Sequence, residues 1–324
     1  MRILLIGGSG FFGKSLVHLL QRVAGILHPG SEVIFASRNP NTLFADVVEW
    51  HGVKVTGLVY DVLSGADLPE CDVLIHAAAS SDAHRYVVAP EAEAQTIVAG
   101  TSRVLERMKR MDPRTRLVYL SSGAVYGHQP QVSKAISEDS PFEAGLDPVK
   151  AVYALAKREA ERAVFHYAET HDRPAIIARC FAFVGAFLPT ATHFAIGNMI
   201  GDIEAGRQIT IRAPHPVYRS YLSTDDLWLC LLKMANATTF RGETFNAGSA
   251  KAVEIHDLAM QLGMRFGVGY AGFSPHELET GRADFYIPDM TRTNETFNLS
   301  APLDIVDTVS DILDQRERLG LRGR

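Results

Sequence analysis

Apolar residues follow two patterns along this chain. In some places they cluster in short segments of five to eight residues. In longer stretches they recur at every third or fourth position. The runs lie at 2–6, 32–36, 53–59, 72–79, 116–120 and 175–181. They read as buried strands of a parallel sheet. The periodic stretches follow residue 13, cover 91–111 with Leu105 and Met108 on the buried side, begin again near Pro148, and recur at 254–266 and 303–319. These read as amphipathic helices. Asp112-Pro113 is the expected stop of the second, because proline cannot continue a helix. Residues 221–233 read as a strand end followed by a helix, with Thr224 or Asp225 as its N-cap. Residues 245–248 read as a short strand and turn. The stretch 185–216, with many Gly, Pro and His residues, reads as irregular, as does the loop through 290. Strands and helices alternating at this spacing predict an α/β fold with a doubly wound parallel sheet, whose ligands sit outside the carboxyl ends of the strands. The expected division is 1–180, rejoined by about 217–248, and a smaller C-terminal α/β substrate domain over 181–324.

The first run leads into Gly7-Gly8-Ser9-Gly10-Phe11-Phe12-Gly13, and that turn leads into a helix. Gly8, Gly10 and Gly13 fit the dinucleotide fingerprint of a Rossmann-type domain: a tight turn, close approach to a pyrophosphate, and helix–strand packing. A helix N-terminus there offers unpaired N–H groups to phosphates. Gly7, Gly10, Phe11, Phe12 and Gly13 are the expected cofactor contacts of the turn. The second strand ends in Ser37-Arg38-Asn39, where a NAD-binding fold usually has an acidic residue for the ribose. A guanidinium can fork onto a 2′-phosphate that a carboxylate would repel. Ser37 and Arg38 therefore point to NADP(H), with NAD as the alternative; Arg38 stacked on adenine or simply solvated is the other reading. Asp61, followed by Val62, faces either the adenine amino group or its own turn. Ala77, Ala78 and Ala79 let backbone lie beside the cofactor, and His76 reads as a packed strand residue.

Composition narrows the class. The chain has 324 residues, 47% hydrophobic and 21% charged, with a net charge of −5 and no basic block, so no nucleic-acid footprint is present. Cys71, Cys180 and Cys230 sit in apolar segments without metal spacing and read as small buried hydrophobes; neither a metal site nor a disulfide is expected. No run reaches the roughly 20 apolar residues of a membrane span. Residues 2–6 are too short for a signal sequence, so a cytoplasmic protein is expected.

The chemistry converges on three residues. Tyr153 and Lys157 are i and i+4 and share one helix face. A phenol has a reference pKa of about 10, and a nearby ammonium favours the phenolate. Tyr153 can then exchange a proton with a hydroxyl or carbonyl whose carbon exchanges hydride with the cofactor. Ser122, at the end of the fifth strand, can hydrogen-bond the same oxygen, and Lys157, with Tyr153, is also an expected cofactor contact, holding the nicotinamide ribose.

With these residues in view, the chain resembles the extended short-chain dehydrogenase/reductase family, of the NAD-dependent epimerase/dehydratase type, especially enzymes of nucleotide-linked sugars. The matches are the turn at 7–13, Tyr60-Asp61-Val62, His76 to Ala79, Gly100-Thr101, the stretch 121–127, Tyr153/Lys157, Arg179, the stretch 219–226 and Phe245-Asn-Ala-Gly248. The resemblance implies Ser122, Tyr153 and Lys157 as catalytic triad, and Ser122, Asn198, Arg219 and Arg282 as contacts of a nucleotide-diphosphate sugar. It also implies a homodimer through helices 91–111 and 149–169. The dehydratases of the family carry an Asp-Glu pair after the catalytic hydroxyl; Gly123-Ala124 stands there, which argues against a 4,6-dehydratase. The asparagine common in the long helix falls near Ile97, and the usual Arg-x-x-Asn reads Arg179-Cys-Phe-Ala182, so the pocket departs from that of the common hexose epimerases. The expected activity is an NADP(H)-dependent 4-ketoreductase. The alternatives are a 4-epimerase with tightly bound NAD and, remotely, a non-catalytic dinucleotide-binding regulator.

Overall fold

Arg2–Ile6 pairs on both sides inside the sheet, and its last four residues are almost wholly buried, which is why its apolar run is unbroken. The structure, a computed structural model, describes residues 1–42, 46–79, 83–127, 135–143, 148–190, 194–273 and 283–323. In chain order the elements are β1 (Arg2–Ile6), α1 (Phe11–Arg22), β2 (Glu32–Ser37), β3 (Val48–Trp50), β4 (Val53–Val59), β5 (Val73–His76), α2 (Ala83–Val88), α3 (Pro90–Met108) and β6 (Arg116–Ser122). Then come α4 (Pro148–His171), β7 (Ala175–Cys180), β8 (Phe183–Val184), α5 (Ala195–Glu204), β9 (Ile209–Thr210), β10 (Val217–Arg219), β11 (Leu222–Ser223) and α6 (Thr224–Asn236). The chain ends with β12 (Arg241–Ala247), β13 (Val253–Glu254), α7 (Ile255–Phe266), β14 (Tyr270–Ala271), β15 (Asp284–Tyr286), α8 (Thr291–Phe297) and α9 (Ile305–Arg318).

The chain divides into two units. The first holds residues 1–125, 144–180 and 228–245; the second holds 126–143, 181–227 and 246–324. In the first, the strand order is β12-β7-β6-β5-β1-β2-β4-β3. The chain winds outward from β1 through β2 to β4, then returns to β5 and winds the other way through β6 to β7, every one of these neighbours parallel. This is the doubly wound α/β sheet that the alternation predicts, and the turn after β1 lies where the winding reverses. Tyr60, Ile97, Val104, Leu105, Met108, Tyr119, Ala160 and Val164 share the core between the sheet and the helices α3 and α4. Gly100 makes that packing close: a Cβ there would lie 3.0 Å from both Val62 methyls. In the second unit β10 lies between β13 and β15, and Leu258, Leu262, Ile312 and Leu313 are buried. Arg316 and Glu204 form a buried pair there, 2.6 Å apart.

Several expectations are corrected. The long helix ends at Met108, before Asp112-Pro113; Lys109 caps it and Arg110 and Met111 turn back onto Arg107 and Met108. The fourth strand ends at His76, so Ala77–Ala79 follow it instead of extending it. The cap of α6 is Ser223, whose hydroxyl accepts from Asp226 N–H at 3.0 Å and donates to the Asp226 carboxylate at 2.8 Å. The irregular stretch 185–216 contains α5 and β9, and the tail holds β14, β15 and α8. The short β3, antiparallel to β4, is a hairpin strand that no apolar run announced. All three cysteines are free and buried.

Candidate active site

The glycine turn is shaped by contacts with its own unit. Gly7 has φ +91°, and a Cβ on it would sit 2.7 Å from Ala77 O. A Cβ on Gly13 would fall 1.6 Å from Gly8 O, so α1 can approach the turn only with glycine at that place. Gly10 is the N-cap of α1, and a Cβ on it would come within 3.3 Å of Gly7 O, a tight contact that is less severe than at Gly7 or Gly13. The tight turn thus falls on Gly7 rather than on the Gly8 of the expected fingerprint. At the turn, Lys14 N–H donates to Gly10 O at 3.0 Å and opens the helical hydrogen-bond ladder. The N–H groups of Phe11, Phe12 and Gly13 precede it and head the helix, as an anion site requires. Trp228 Nε1–H donates to Phe12 O at 2.9 Å and anchors this end of α1.

At the end of β2, Ser37 is 7% exposed and its Oγ is buried without a hydrogen-bond partner. A buried polar atom of this kind is unusual without a ligand to satisfy it. Arg38 follows on the surface. Asp61 is exposed, and its Oδ1 accepts from Leu63 N–H at 2.9 Å, so one carboxylate oxygen caps its own turn. Val62 is buried. Ala77 N–H continues the ladder to Ile6 O at 2.8 Å, which brings the alanines beside the glycine turn. His76 Nε2 lies 3.1 Å from Thr101 Oγ1, and burial with the Lys157 cation nearby pushes its pKa down to about 3. It is a packed neutral histidine. The orphaned Ser37 oxygen, the glycine positions closed to a Cβ and the N-terminus of α1 beside that turn together fit a dinucleotide.

Ser122 ends β6, and the chain then makes a tight turn over Gly123–Tyr126 in which Ala124 N–H donates to Ser122 Oγ at 3.1 Å. Tyr153 and Lys157 lie one turn apart on α4. Burial pushes the Tyr153 phenol up to about 12, and its hydrogen bond with Ser122 opposes that rise. Lys157 is 3% exposed and donates to Leu120 O at 2.7 Å. Its Nζ lies 4.8 Å from the Tyr119 ring centre and 6.0 Å from that of Tyr153. Burial pulls its pKa down to about 8, while Cys180 and Glu161 hold it up. The arrangement can pass a proton between Tyr153 and an oxygen that also bonds Ser122.

Two neighbours escaped the sequence reading. Tyr86 of α2 packs edge-on against Tyr153, ring centres 5.1 Å apart. Glu161, one turn beyond Lys157, is buried in a bidentate pair with Arg179. The i+8 spacing from Tyr153 was the available signal. In the second unit Arg219 lies on β10 and donates to Tyr218 O at 2.8 Å and Asp284 O at 3.4 Å. Asn198 is exposed on α5. Arg282 lies outside the described residues.

A family model described as NAD dependent epimerase/dehydratase family matches residues 3–248. The chain belongs to that family. This epimerase/dehydratase family member is 26% identical over 266 residues to UDP-glucuronic acid decarboxylase 6 of Arabidopsis thaliana, covering 81% of this chain and 74% of that protein. Among solved structures it resembles a dTDP-glucose 4,6-dehydratase of Streptomyces venezuelae with NAD bound, at TM-score 0.78 and 20% identity, over 99% of this chain and 98% of that one. It also resembles a UDP-glucose 4-epimerase of Thermotoga maritima with UDP-glucose, at TM-score 0.77 and 18% identity, over 99% and 100% of the two chains. At that identity the two structures speak for the fold. As a member of the epimerase/dehydratase family the chain is an enzyme of the extended short-chain dehydrogenase/reductase type. No helix among the described residues is long and apolar enough to cross a membrane, and no cluster of metal-ligating side chains occurs among them.

Proposed function

We propose that this enzyme is an NADP(H)-dependent 4-ketoreductase of a nucleotide-linked sugar. The observation that carries the hydride-transfer reading is the hydrogen-bonded Ser122–Tyr153 pair with the buried Lys157 cation one turn along the same helix. The Gly7–Gly13 turn, Ser37, Arg38, Asp61, Val62 and Ala77–Ala79 would hold the cofactor, which when bound supplies the hydride. Tyr153 donates its proton to the carbonyl oxygen of the sugar as the hydroxyl forms. Ser122 hydrogen-bonds that oxygen and Lys157 stabilises the phenolate left behind. Asn198, Arg219 and Arg282 would grip the diphosphate of the substrate. Gly123 and Ala124 offer no acid or base beside Ser122, so water elimination lacks a proton donor at those positions.

The end of β2 supports the phosphorylated cofactor. Ser37-Arg38-Asn39 presents a cation and no carboxylate there. A hydrogen bond to a charged group is worth about 1.5–3 kcal/mol, or tenfold and more in affinity. NADPH should bind more tightly than NADH by that margin, and Arg38→Ala should narrow the gap; equal affinities in the parent enzyme contradict the assignment. The second reading is a 4-epimerase with tightly held NAD, favoured by the fold shared with such an enzyme. It predicts cofactor retained through purification and no net NADPH consumption. The homodimer through α3 and α4 is supported by Leu155 and Phe165 of α4, 52% and 47% exposed.

A further inference from the structure

Three acceptor and donor groups lie buried behind the site. Glu161 is the third residue of the series Tyr153, Lys157, Glu161 along one face of α4. Its carboxylate accepts from Arg179 Nε at 3.0 Å and Nη2 at 2.8 Å, and from the Ser121 hydroxyl. Arg179 of β7 stands directly beside Ser121 of β6 in the sheet register. Ser121, Glu161 and Arg179 are 3%, 6% and 6% exposed. Ser121 itself lies between Leu120, whose carbonyl holds Lys157, and Ser122.

Two charges taken out of water are expensive, and an apolar pair of the same volume would hold α4 on the sheet as well or better. Stability alone therefore does not account for an ion pair here. We infer that Glu161 and Arg179 are positioning residues for the hydride-transfer site: tied to Ser121, they fix α4 against β6 and β7 so that Tyr153 and Lys157 stand level with Ser122. The inference rests on the triad proposed above and deepens it. It also has an electrostatic side. Lys157 is faced by Tyr153 and Glu161 from α4, Tyr119 from β6, Cys180 from β7 and His76 from β5. Glu161 is the carboxylate of that group, and its charge favours the ammonium form of Lys157.

The test reads Lys157 without any substrate. Trace acetylation with acetic anhydride at a series of pH values, quantified on the Lys157 peptide, gives the titration midpoint of that amine. Glu161→Gln should lower the midpoint by on the order of one unit relative to the parent enzyme. Glu161→Leu/Arg179→Met removes both charges at similar volume, and should lower it too while far-UV circular dichroism and NADPH binding show a folded protein; if the single variant fails to fold, the double variant decides. Turnover should drop by about tenfold or more in either, with KM little changed. A purely structural pair leaves the midpoint and the turnover of the folded double variant at the parent values, and that result overturns the inference. Tyr153→Phe in the same preparations tests the catalytic assignment separately: turnover retained there refutes the triad, whatever Lys157 does.

Discussion

Tyr153 begins as a poor base. Burial moves its phenol up to about 12, away from neutral pH, and the Ser122 hydrogen bond works in the other direction. In the ketoreductase direction this suits the task, since the resting group must be a phenol that gives up a proton. Tyr153→Phe is expected to lower kcat by about 10²–10⁴-fold while NADPH still binds, measured by turnover and fluorescence titration. Lys157 has a different signature. Its pKa in the folded chain is about 8, below the ordinary 10.5. The unfolded chain binds more protons between those values, so the stability of the cofactor-free enzyme rises as pH climbs from 8 toward 10.5. Lys157→Met should therefore be the more stable protein at neutral pH, by on the order of 2 kcal/mol, with the difference shrinking through that window. Denaturant titrations at several pH values check it; a constant difference contradicts the account. Ser122, Tyr153 and Lys157 were legible because a four-residue spacing on a helix and a small residue at a strand end are local patterns. The Glu161–Arg179 pair was not, because it needs the register of one helix on two strands.

At the scale of elements, the short apolar segments gave the parallel strands, and Gly13 is where one helix meets that sheet. Gly13→Ala places a methyl 1.6 Å from Gly8 O, so the turn must open. The expected cost is about 1–3 kcal/mol of stability, with NADPH affinity lost more steeply than the fold, read by thermal melts with and without cofactor. The cap of α6 gives a contrasting case. Ser223→Ala removes the hydroxyl that accepts from Asp226 N–H and should cost about 1 kcal/mol with no change in NADPH affinity. Sequence pattern pointed to Thr224 or Asp225, since Ser, Thr and Asp are all good caps; only the backbone shows which one stands outside the first turn. The edge strand β3 was hidden for a related reason. Val48-Glu49-Trp50 is too short to show a period, and it exists because β4 offers it a partner. In the second unit α5 was obscured by the glycine and proline around it, whereas α7 and α9 followed from their periodicity.

For the molecule as a whole, the winding order of the sheet puts the glycine turn, Ser37, the three alanines, and Ser122 at the carboxyl ends of successive parallel strands, and this much followed from the alternation of strands and helices. Family membership narrows the chemistry to that of the epimerase/dehydratase enzymes. Choice of cofactor and direction of reaction rest on a few side chains, chiefly Arg38 and the Gly123-Ala124 pair, and these are what an experiment on the whole enzyme must address. The most direct is to incubate the purified protein with NADPH and a panel of 4-keto nucleotide sugars while following the NADPH absorbance. The account predicts stoichiometric NADPH consumption with at least one of them, lost in Tyr153→Phe; conversion of a 4-hydroxy nucleotide sugar to its epimer with no NADPH consumed would contradict it.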